Sequence, residues 1–68
     1  MKLPVISGRE MIKILHRKGW IGVSQRSSHV KMMHRQKGLK LVIPLHNELK
    51  PGVVHECIVM AGLTEDDF

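Results

Sequence analysis

The sequence holds one cysteine, Cys57, so no disulfide can form within the chain and no zinc site built on paired cysteines is available. That usage suits a reducing compartment. Aromatic side chains are nearly missing, with Trp20 and Phe68 the complete set. Proteins that grip single strands by stacking present several rings, so a base-stacking platform is not expected, and Trp20 is assigned to packing on the first helix. No apolar run approaches the ~20 residues that span a bilayer. The segment Met1–Ser7 lacks the long apolar core of a signal peptide, and Arg9 follows at once. These absences predict a soluble, cytoplasmic protein with no membrane partner. Acids are scarce as well: only Glu10 and Glu48 occur among the first fifty residues.

Base is what fills that stretch. All 11 Lys and Arg lie at or before Lys50, which gives residues 1–50 a formal charge of +9. Residues 51–68 carry Glu56, Glu65, Asp66 and Asp67 with no Lys or Arg, for −4. One part of the chain is suited to a polyanion and the other is not. The 68 residues, 43% of them hydrophobic, predict one small globular domain over 1–68. A chain of this size buries only ~60% of its unfolded surface, which leaves little room for a deep cavity or a dinucleotide fold.

Ser7-Gly8-Arg9-Glu10 is a capping-box pattern, and Met11, Ile12, Ile14 and Leu15 follow as an apolar stripe. The spacing predicts a helix over Gly8–Lys18, closed by Gly19. From Trp20 the period shifts to two. Trp20–Gln25 reads as a strand weakened by Gly22, Arg26–Ser28 as a tight turn, and His29–His34 as a second strand. Arg35–Gly38 reads as a hairpin loop, and Leu39–Leu45 as a third strand that Pro44 ends or places at an edge. A final helix follows Pro51-Gly52, with Val53, Val54, Cys57, Ile58 and Ala61 at helical spacing and Gly62 as its cap. Thr64–Asp67 resembles the start of another turn. The expected class is α+β, with both helices on one face of a three-stranded antiparallel sheet and the other face left to solvent or a ligand.

Five histidines are many for this length: His16, His29, His34, His46 and His55. His16 near the first helix C-terminus suits the helix dipole, and His55 is expected to be solvated. His29 follows the small-residue turn Ser27-Ser28, with Arg26 and Lys31 beside it. Strand alternation puts His29, Lys31 and Met33 on one face and Val30, Met32 and His34 on the other, with Val30 and Met32 towards the core. A neutral imidazole among cations can take a proton from a ribose hydroxyl, while Lys or Arg stabilises charge developing on phosphate. RNA brings its own nucleophile, so no metal, cofactor or protein nucleophile is required. Spacing alone fits a protein that only binds RNA equally well.

The chain resembles the HicA toxin family, ribosome-independent mRNA interferases of bacterial and archaeal toxin–antitoxin pairs. The residues that carry the resemblance are the Leu3-Pro4-Val5-Ile6-Ser7-Gly8 lead-in, Gly19-Trp20, Ser28-His29 in place of Gly-Ser-His, Ile43-Pro44-Leu45-His46 as a Pro-x-His element, Gly52, and Ala61-Gly62-Leu63. One departure stands out: Ser27 occupies the position of the signature's glycine. The resemblance implies a double-stranded-RNA-binding-like α-β-β-β-α fold, His29 as the catalytic residue, RNA as substrate and a HicB-like antitoxin covering the site. Around His29, Ser28 either bonds phosphate or shapes the turn, and Arg26 and Lys31 read as phosphate binders. His46 is either a second acid/base group or a cap on the turn after the third strand. The sequence leaves two other readings open: a non-catalytic RNA-binding module of this fold, and an interaction partner for an acidic protein.

Overall fold

Ser7 starts the first helix because its backbone is extended and its hydroxyl oxygen accepts from the Glu10 amide at 3.2 Å. The expected return contact differs in detail: the Glu10 carboxylate accepts from the Ser7 hydroxyl at 3.1 Å, not from the Ser7 amide. The protein is described by a computed structural model covering residues 3–68, in which α1 spans Gly8–Arg17. Its apolar stripe buries Met11, Ile14 and Leu15. Gly19, at φ +92°, turns the chain out of the helix one residue after the Lys18 cap.

Three antiparallel strands follow in spatial order β1-β2-β3: β1 Trp20–Arg26, β2 His29–His34 and β3 Lys40–Pro44. Against expectation β1 continues through Arg26, and β3 is one residue shorter at each end. Pro44 satisfies both readings of it, since it ends β3 and β3 is an edge strand. Alternation on β2 falls as expected, with Met32 buried, Val30 half-buried, and His29 and Lys31 exposed. On β3, Leu41 and Ile43 are buried while Lys40 and Val42 face out.

A β-bulge interrupts β1. Gly22 pairs with Met32 and Ser24 with Lys31, so Val23 has no partner. Residues directly opposite in an antiparallel pair share a face. The extra residue therefore reverses the alternation of β1 beyond Val23 and brings Ser24 and Arg26 onto the outer face, opposite Lys31 and His29. Without it, strict alternation from buried Trp20 would send Arg26 to the inner side.

Helix α2 spans Pro51–Ala61, beginning at the proline itself; the first helical position suits a residue without an N–H. Val54 and Cys57 are buried in one core with Met11, Leu15, Trp20, Met32, Leu41, Ile43 and Leu63, which places both helices on the inner side of the sheet. Gly62, at φ +63°, ends α2, and the Leu63 amide bonds back to the Ile58 carbonyl at 3.0 Å. Residues Glu65–Asp67 form one 3₁₀ turn, and Asp67 accepts from the Thr64 amide at 2.8 Å. The tail then docks on α1, with Asp67 bridged to Lys18 at 3.0 Å and Arg17 donating to the Asp67 carbonyl at 3.4 Å. The Thr64 amide and then Lys18 hold the Asp67 carboxyl below its ordinary value. This anchor is therefore complete at neutral pH and is lost only as pH falls through that lowered value.

Candidate functional site

The turn between β1 and β2 has two residues, Ser27 and Ser28, flanked by the pair Arg26 and His29. Ser27 has φ +56° and is the one non-glycine residue with positive φ among those described. A positive φ at the first central position alone is the pattern of a type II′ turn, where glycine is preferred. This is the position at which the chain departs from Gly-Ser-His. Gln25 Nε2 donates to the Ser27 carbonyl at 3.3 Å and braces the turn.

One backbone contact ties this turn to the segment after β3, and two more tie that segment to the start of α1. The Leu45 amide donates to the Ser28 carbonyl at 2.7 Å, the Gly8 amide to the His46 carbonyl at 2.9 Å, and the Leu49 amide to the Ile6 carbonyl at 2.8 Å. His29 also lies opposite Pro44 across the β2–β3 ladder. Ser28-His29 and Pro44-Leu45-His46, far apart in the chain, thus form one end of the sheet. There the His29 and His46 rings stand 6.4 Å apart at 70° to each other, and both side chains are exposed. Gly8 makes this approach possible, because a Cβ at that position would collide with the Pro44 carbonyl.

From His29 an open groove of about 380 Å³ runs over the outer sheet face, lined by Ser24, Gln25, Arg26, His29, Lys31 and Val42. Lys18–Asp67 is the one ion pair among the described residues, so Arg26 and Lys31 carry their charge without a protein counter-charge. Val42, 52% exposed, gives the groove an apolar floor. No acid lines the groove. Asp67 sits at the C-terminus of α1, next to the Trp20 end of β1. At ~3.3 Å per residue, seven-residue β1 separates that end from Arg26 by roughly 20 Å.

The remaining candidates separate by their contacts. His34 Nδ1 accepts from the amides of Gln36 and Lys37, at 3.2 and 3.1 Å, and its ring meets Trp20 edge-on at 5.5 Å. That side chain shapes the β2–β3 turn. His16 Nδ1 lies 3.3 Å from the Trp20 carbonyl, and His55 is exposed on α2 away from the groove. Trp20, 1% exposed, is core and offers no stacking surface. Cys57 is buried; burial first, then neighbouring Glu56, push its thiol up to about 11, so it stays protonated and is no nucleophile at neutral pH. Among the described residues no three His, Cys, Asp or Glu side chains converge on a point, and no helix is long and apolar enough to cross a membrane.

The sequence did not single out Ser24 or Val42. Val42 follows from alternation along β3, whereas Ser24 reaches the outer face only through the bulge.

Comparison with known proteins places this geometry in context. A family model described as HicA toxin of bacterial toxin–antitoxin matches residues 8–63. A chain of a toxin–antitoxin complex from Streptococcus pneumoniae superposes with a TM-score of 0.69 at 34% sequence identity, over 85% of this chain and 98% of that one. No curated protein matches the chain.

Proposed function

The chain belongs to the HicA toxin family of bacterial toxin–antitoxin systems, and on that premise we propose that it is a cytoplasmic endoribonuclease toxin acting on mRNA with His29 as its proton-transfer group. The observation that carries this reading is the exposed His29 at the head of an open groove whose cations, Arg26 and Lys31, have no protein counter-charge. RNA phosphates lie along the groove, held by those two side chains, with Ser28 at the turn as a further donor. His29 takes the proton from a ribose 2′-hydroxyl as O2′ attacks the adjacent phosphorus. Arg26 and Lys31 stabilise the negative charge that builds on the phosphoryl oxygens. The P–O5′ bond breaks with its electron pair going to O5′, which takes up a proton, leaving a 2′,3′-cyclic phosphate and a 5′-hydroxyl. The substrate supplies the nucleophile, so cleavage persists in EDTA.

The partner in this reading is a HicB-like antitoxin that covers the outer face and keeps RNA from it. The toxin–antitoxin complex that contains the similar chain from Streptococcus pneumoniae supports an antitoxin as partner.

The test is His29→Ala. The side chain is exposed and outside the core, so the variant folds and still binds the antitoxin, while RNA cleavage falls at least ~100-fold and growth arrest on expression is lost. Cleavage at the wild-type rate would overturn the assignment. Salt-sensitive RNA binding by the wild type without cleavage would make the protein a binding module instead.

A further inference from the structure

Scission of an RNA linkage needs two proton transfers, one from O2′ and one to O5′. A single imidazole cannot be deprotonated for the first and protonated for the second within one step. We infer that His46 is the second catalytic group: it protonates the departing O5′ while His29 takes the 2′-hydroxyl proton. The inference rests on the ribonuclease reading and adds a residue to the same site.

Three observations carry it. The two rings stand 6.4 Å apart. Hydrogen-bond reach from a ring nitrogen is ~2.6–3.2 Å, so one phosphoryl group set beside the pair can turn a bridging oxygen towards each ring. Both side chains are exposed, and His46 makes no side-chain hydrogen bond among the described residues, in contrast to His34, whose Nδ1 is occupied by two amides. The contact that fixes the loop comes from the backbone: the His46 carbonyl accepts from the Gly8 amide. The turn is thus held by the His46 main chain, with no hydrogen bond from its ring among the described residues. The free imidazole is held beside His29 by the Leu45–Ser28 bond and by the fit of Gly8 under Pro44.

Electrons and protons balance without a further reactant. O2′ gives its proton to neutral His29 and forms the bond to phosphorus. The P–O5′ pair moves to O5′, which takes the proton of the His46 imidazolium. Exchange with water resets both rings.

The experiment uses a short RNA whose wild-type cleavage site has been mapped, made with either oxygen or sulfur at the bridging 5′ position of that linkage. A thiolate leaves without needing a proton, so the sulfur substrate no longer requires a general acid. His46→Ala is expected to cleave the oxygen substrate ~100-fold more slowly than wild type and the sulfur substrate at nearly the wild-type rate. His29→Ala is expected to be slow on both. Thermal unfolding of His46→Ala and His46→Gln is expected to match wild type. A His46→Ala loss of equal size on both substrates overturns the inference, as does no loss on either, or rescue of His29→Ala in its place. If wild type yields no cleavage site to map, the ribonuclease reading itself fails, and that failure is visible before any variant is compared.

Discussion

Ser27 is the residue at which local conformation and residue type disagree. Its φ of +56° lies in the left-handed region, which costs a non-glycine L-residue ~1–2 kcal/mol. Nothing compensates through its side chain, since the contact made at this position is to the carbonyl. Ser27→Gly removes the strain and returns part of the gain as added freedom of the unfolded chain. The expected net effect is a stabilisation of about 1 kcal/mol, a rise in Tm of roughly 4–8 °C for a domain this small. Thermal unfolding by circular dichroism checks it, and a lower Tm would show that the turn is not strained. That a glycine belongs at this position could be read from the motif. Whether the backbone there is left-handed could not, because serine leaves no mark of φ in a sequence.

At the scale of elements, what decides the site is how β1 and α1 meet the middle of the sheet. Residues on the outer face of β2 were legible, since His29, Lys31 and the buried Met32 follow period two without interruption. The face of Arg26 was not, because the Val23 bulge shifts register within a strand whose residues beyond Ile21 are all exposed and so carry no hydrophobic signal. Spacing could not decide between the two readings of His46, beside His29 or as a turn cap, for another reason. The nearness of the two rings arises from β2–β3 pairing and the Leu45–Ser28 bond, which join segments whose spacing in the chain says nothing of their distance. Gly8 belongs to this scale too. Its buried position lets the first turn of α1 rest against the end of β3, and a Cβ there would drive into backbone that cannot give way. Gly8→Ala is therefore expected to cost ~1–3 kcal/mol despite alanine's better helix propensity. It also displaces the His46 loop, so cleavage falls with stability. Denaturant unfolding that shows no loss would mean that α1 does not pack this closely.

Over the whole molecule, the scarcity of acids in the first fifty residues becomes a division of space. The outer sheet face, whose strands carry no acid, places Arg26 and Lys31 beside His29 with Lys40 farther along the same face, while Asp67 is tied to Arg17 and Lys18 at the far end of β1. With so small a core, no enclosed cavity is needed for this chemistry. An open groove and placed side chains suffice when the substrate brings its own nucleophile. The most direct test of that claim is the identity of the ends left on a cleaved RNA, read by mass spectrometry after digestion with wild type and with His29→Ala in EDTA. Wild type is expected to leave 2′,3′-cyclic phosphate and 5′-hydroxyl ends, and His29→Ala essentially none. Ends bearing a 3′-hydroxyl and a 5′-phosphate, or the same products at the same rate from His29→Ala, would overturn the metal-independent mechanism.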